Sequence, residues 1–138
     1  MDEFERAGDD EFVYRRIHQN YIDARLAIPV QPAAFRPTEH DTTGLSVFRG
    51  CFVAPADTLA DVDADKVQRY CVARLAVRAL RELGLSVVPE PTKQGPRGHA
   101  VIPELSRPAY LADKGRWKQV LVQLATLASA DIVYQPSA

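Results

Sequence analysis

The sequence predicts a small α+β domain: a mixed or antiparallel sheet with two or three helices, in one unit over residues 12–138. Three observations carry this. Short runs rich in aromatic and β-branched residues recur along the 138 residues, each bounded by proline, glycine or polar residues. Near the end of the chain apolar residues return at helical spacing instead. No repeat, low-complexity tract or linker divides the chain.

Residues 1–11 hold six acids against Arg6 and lack an apolar period, so an acidic, flexible leader is expected there. Phe12–His18 reads as a strand, with Phe12, Tyr14, Arg16 and His18 on one face and Val13, Arg15 and Ile17 on the other. One arginine must therefore lie beside the core. Pro29 and Pro32 argue for extended or irregular chain around them. The connection over 29–44 is long, and such loops are commonly functional or self-packed; Ala33, Ala34 and Phe35 are its candidate anchors. Thr42, Thr43 and Gly44 suit a turn into a second strand, Leu45–Arg49. A short helix is expected after Pro55, with Ala56, Leu59 and Ala60 inward.

Residues 63–84 support two readings. Apolar residues at 67, 71, 75, 79 and 83 fit one continuous helix, whereas Cys71, Ala73, Leu75 and Val77 alternate as a strand does. We favour a strand over 70–76 running into a helix over 77–84, with Gly84 as a left-handed stop. Short strands are expected over 85–88 and at His99–Ile102, and irregular chain over 108–115. From Gly115 or Arg116 to Ala128, the stripe of Trp117, Val120, Leu121, Leu124, Leu127 and Ala128 predicts the clearest helix, with Asp113 as its cap. Ile132–Tyr134 is the last strand.

The chain is 46% hydrophobic and 25% charged, with a formal net charge of −1, as in ordinary globular proteins. Cys51 and Cys71 sit among apolar neighbours and are expected to be buried thiols in a reducing cytoplasm. No basic n-region and apolar h-region open the chain, and its most apolar window is too short to span a bilayer. A soluble, cytoplasmic protein without a membrane partner is therefore expected.

GxGxxG, P-loop, GxSxG, HExxH and paired CxxC motifs are absent, so no cofactor is expected. A metal site would have to gather His40, Asp41 and His99 from separate elements, and none is expected. Arg36, His40, Asp41, Thr42 and Thr43 form the densest polar cluster in the chain. Arg36 suits a phosphate or carboxylate, and Asp41 an imidazole; equally, Asp41 and Thr42 suit hydrogen bonds to their own loop backbone. Arg15 and Arg16 beside His18 are a second candidate anion group, against structural ion pairs. Lys93, Arg97, Arg107, Lys114, Arg116 and Lys118 make residues 92–118 basic, but without interleaved aromatic residues nucleic acid is not expected as a partner.

YRRIH over 14–18, AFRPTEHDTTGLSVFRG over 34–50, ALRELGLSVVPEP over 79–91 and HAVIPEL over 99–105 together resemble a family of small bacterial hypothetical proteins with no known activity. The chain departs from that pattern at Gln19 and Gly98. The resemblance implies a shared fold and no catalytic residue. A fainter likeness links the YR strand, the LSVFR strand and the helix after Pro55 to RES-type NAD-consuming toxins of the ADP-ribosyltransferase kind, implying a role for Arg15 or Arg16.

The expected function is a non-enzymatic protein-interaction module whose partner is another protein, within a bacterial toxin–antitoxin or antiviral defence system. The alternative is a small enzyme acting on a nucleotide, NAD or another anion. It would use Arg15 or Arg16 with His18, His40 or His99.

Overall fold

A computed structural model describes residues 2–136. Its frame is one six-stranded antiparallel sheet. The strands are β1 (Phe12–His18), β2 (Leu45–Arg49), β3 (Tyr70–Ala76), β4 (Val88–Pro89), β5 (His99–Ile102) and β6 (Ile132–Tyr134), in the order β4-β5-β2-β1-β3-β6. Period-two alternation assigns the two faces. Val13, Ile17, Leu45, Val47, Ala73, Leu75, Ala100 and Ile102 are buried in the main core. Helices α1 (Val77–Glu82), α2 (Arg107–Ala112) and α3 (Lys114–Ser129) contribute Val77, Leu80, Tyr110, Trp117, Leu121 and Leu124 to the same core. On the opposite face Phe48, Val72 and Val101 are buried, as are Thr58 and Leu59 of the 3-10 turn Ala56–Leu59. The structure thus bears out a small α+β fold.

The 63–84 ambiguity resolves as strand then helix. β3 pairs with β1 along its whole length, from Phe12 opposite Ala76 to His18 opposite Tyr70. Long-range ladder bonds there outweigh the helical spacing of the same residues. α1 follows without a break, and Gly84 at φ 82° stops it. The turn after Pro55 is 3-10 and buries Thr58 and Leu59, while Ala56 and Ala60 stay exposed.

Three other expectations change. Residues 108–115 are helical apart from Asp113, not irregular: Pro108 lies in the first turn of α2, where its missing N–H costs little, and Ser106 Oγ accepts from Ala109 N at 3.2 Å. Asp113 precedes α3 without a side-chain capping bond. In the strand expected over 85–88, pairing begins only at Val88. There Ser86 donates its N–H and hydroxyl to Glu104, at 2.8 and 2.6 Å, in place of a ladder.

The cysteines also differ from expectation. Cys51 is exposed and Cys71 half-buried. Cys51 leaves β2 in a turn, where apolar sequence neighbours do not cover it. Its Sγ donates to Glu11 Oε1 at 3.2 Å.

The acidic leader lies against the body. Ala7 is 1% exposed, Gly98 N donates to Glu3 Oε1 at 2.8 Å, and Arg81 pairs with Asp9. Its main attachment is Arg49, which is 0% exposed. Arg49 stands opposite Val13, on the core-facing side of the sheet. Its Nε and Nη2 donate to the Glu11 carboxylate at 3.0–3.1 Å, and Nη1 donates to the carbonyls of Glu3 and Glu5 at 3.1 and 2.7 Å.

Burial alone would raise the Glu11 pKa. Hydrogen bonds from Gly8 N–H, Cys51 and Arg49, with the Arg49 charge, outweigh it and hold the carboxyl below its usual range. A depressed native pKa stabilises the fold fully above the unfolded value and loses that contribution as pH falls through the native one. Glu11→Gln is therefore expected to lower the unfolding free energy by about 3 kcal/mol at pH 7. It should also flatten the acid limb of a urea-denaturation pH series relative to wild type.

Candidate functional site

The 29–44 segment has a packed root and an exposed tip. Ile22 bridges Val30 in an antiparallel pair, and Val30 N donates to Ser129 Oγ on α3 at 2.9 Å. The 3-10 turn Pro32–Phe35 then lies on α3, burying Ala34 and Phe35, with Ala33 half-buried. Pro37 is buried beyond it. At the far end a Cβ on Gly44 would sit 2.8 Å from the Ile102 carbonyl, so the close approach of β2 to β5 requires glycine there. Between these anchors Thr38, Glu39, His40, Thr42 and Thr43 are exposed.

Asp41 organises the tip. Its Oδ2 accepts from Thr38 N at 2.7 Å and from Thr38 Oγ1 at 3.2 Å, and its own N–H donates to Thr38 O. The Asp41 carbonyl accepts from Arg107 N at 2.8 Å, while Arg107 Nη1 donates to Pro37 O at 3.1 Å. Asp41 thus serves the backbone-turn role open to it in the sequence. His40 lies 3.8 Å from Glu39, with both side chains in solvent.

Two adjoining grooves flank this tip. One, of about 520 Å³, is lined by Tyr21, Arg36, Thr38, Glu39, His40 and Arg107 among others. The second, of about 330 Å³, is lined by Arg36, Arg107, Tyr110, Leu111, Lys114 and Lys118. Arg36 and Arg107 belong to both. Among the described residues, no carboxylate forms an ion pair with Arg36, Arg107, Lys114 or Lys118. Sequence order hid this cluster, because Arg36 lies some seventy residues before Arg107, and the two stretches meet through the Arg107 bonds to the Pro37 and Asp41 carbonyls.

A third recess, of about 410 Å³, contains Arg15, Arg16, His18, Asn20, Tyr21 and Tyr70 in its wall. Arg15 lies on the core-facing side of β1 and donates from Nη1 to Ser46 O at 2.9 Å and from Nη2 to Ala34 O at 3.0 Å. Burial pulls its pKa down to about 10, partly opposed by the Asp41 charge. Arg16 faces the other way, where it pairs with Asp61 at 2.6 Å and lies over Phe48. His18 Nδ1 accepts from Asn20 N at 3.1 Å, and its ring meets Tyr70 edge-on.

His99 stands elsewhere. Nε2 lies 2.9 Å from Ser46 Oγ and Nδ1 2.8 Å from Glu90 O, which ties β5 to its neighbours. The sequence-predicted residues therefore divide. Arg15, Arg16 and His18 share the recess, Arg36 and His40 share a groove, Asp41 shapes the tip, Thr42 is exposed, and His99 is apart. Tyr21 borders both the recess and the larger groove. Among the described residues no cluster of three His, Cys, Asp or Glu side chains could hold a metal ion, and no helix is long and apolar enough to cross a membrane.

No protein-family model, curated protein or solved structure matches the chain.

The two Thr38 bonds to Asp41 make a local prediction. Asp41→Ala should speed amide exchange at Thr38 about tenfold, the effect of roughly one hydrogen bond, without moving the thermal midpoint appreciably. Hydrogen exchange followed by NMR reads both residue and magnitude.

Proposed function

We propose that the protein is a non-enzymatic interaction module that presents the 38–43 tip and the adjoining basic grooves to an acidic surface of another protein. The observation that carries this reading is the pairing of a packed root with an exposed tip beside four cations that lack carboxylate partners among the described residues. Ala34, Phe35 and Pro37 hold the root, so a partner meets a segment already shaped and loses little ordering entropy. Arg36, Arg107, Lys114 and Lys118 offer charge complementarity, which favours partner choice and association rate. His18 lines the recess, His40 the larger groove and His99 neither, which favours the interaction reading over one built on a shared histidine group.

A photo-crosslinking residue at Thr42, placed in the source cells, should give a discrete product. The same residue at Asp65, exposed on the segment covering the other sheet face, should not. Combined Arg36→Glu, Lys114→Glu and Lys118→Glu should remove the product and leave the folding transition in place. These side chains are chosen because Arg107 also holds the Pro37 carbonyl. No product at Thr42, or equal products at both positions, would overturn the reading.

A further inference from the structure

We infer that the recess at the end of β1, walled by the turn that follows it, by Ala34 and by Tyr70 of β3, is a binding site for a small oxyanion, a phosphate or carboxylate group, received by Arg15 with His18, Asn20, Tyr21 and Tyr70. This inference is separate from the interaction reading: the ligand class differs, and Tyr21 is the one lining residue the recess has in common with the grooves.

Strand pairing sets how Arg15 reaches its partners beside the recess. β1 pairs with β2 at Val13–Arg49 and Tyr14–Phe48, then continues against β3 as far as His18. β2 meanwhile pairs with β5 from Phe48 back to Leu45. Past Tyr14 the two central strands diverge, and the Arg15 guanidinium spans the opening to reach Ser46 O. Its other terminal nitrogen reaches Ala34 O, at the end of the 3-10 turn that roots the 29–44 segment.

The electrostatics of this position are incomplete. Arg15 donates two of its five N–H groups to neutral carbonyls, and its buried Nε has no hydrogen-bond partner. No carboxylate lies within ion-pair distance of it among the described residues, and Asp41 acts on it only through space. Arg49, on the same sheet face, has the Glu11 carboxylate in direct contact. An oxyanion in the recess would give Arg15 what Glu11 gives Arg49: a charge-assisted bond in surroundings that strengthen it.

The remaining wall suits such a group. With Nδ1 accepting from Asn20 N, neutral His18 carries its proton on Nε2 and has a donor left. The Asn20 amide and the Tyr21 and Tyr70 hydroxyls are further donors on residues lining the recess. Arg16 is excluded as the main ligand because Asp61 already neutralises it. The volume, about 410 Å³, lies in the range of small-ligand pockets.

The test is a ¹H–¹⁵N NMR titration of the full chain with inorganic phosphate and, separately, acetate at constant ionic strength. Saturable shifts at Asn20, Tyr21 and Tyr70 are expected with at least one of them, and the anion that saturates names the group. Arg15→Met should weaken binding about tenfold or more, the loss of one charged hydrogen bond. If that variant does not fold, His18→Gln provides the second test, with weakening of severalfold expected at an unchanged spectrum. Shifts confined to the Arg36 and Lys114 groove, shifts that survive the substitution, or no saturation with either anion at millimolar concentrations would overturn the inference.

Discussion

Two guanidinium groups on the core-facing side of one sheet impose the main constraint on this structure. Removing such a charge from water costs several kcal/mol unless a partner of opposite charge and good geometry offsets it. β1 and β2 place Arg15 and Arg49 on the face that also carries Val13, Ile17, Leu45 and Val47. Each must therefore recruit polar groups from outside the ladder. Arg49 recruits residues 3–11: the Glu11 carboxylate and two leader carbonyls close over it. Arg15 recruits the carbonyls of Ser46 and Ala34 and, among the described residues, no anion.

These two solutions shape the two functional regions differently. The Arg49 cluster is self-sufficient, and its effect is structural: it fixes the leader and the end of β2. Arg15, by contrast, links β1 to the root of the 29–44 segment through Ala34 O. The recess at Arg15 and the groove at Arg36 and His40 meet at Tyr21. The anchoring of the interaction segment and the proposed oxyanion site thus share one side chain and one border residue, although their ligands differ in kind.

Much of the fold was legible in local pattern. Alternation over Phe12–His18 already required one arginine beside the core, and the apolar stripe from Trp117 to Ala128 marked α3. The strand-to-helix change at Ala76 was readable through Gly84, whose positive φ ends α1. α2 falls in the stretch expected to be irregular, and Pro108, as a first-turn residue, supports the helix there. The site was less legible, because its parts come from distant stretches. Arg107 and Lys114 reach Arg36 through the tertiary fold, and no local spacing encodes the divergence of β1 from β2. The role of Arg49 was also hidden, since an acidic leader without apolar period gives no sign that Glu11 serves a buried cation.

The fold neutralises Arg49 internally and, among the described residues, leaves Arg15 without a contacting counter-charge. Urea unfolding of Arg49→Met and Arg15→Met, measured side by side in buffer free of phosphate and carboxylates, tests it most directly. Arg49→Met is expected to lose about 2 kcal/mol more than Arg15→Met, because it strands the Glu11 carboxylate. An equal or larger loss in Arg15→Met would contradict it.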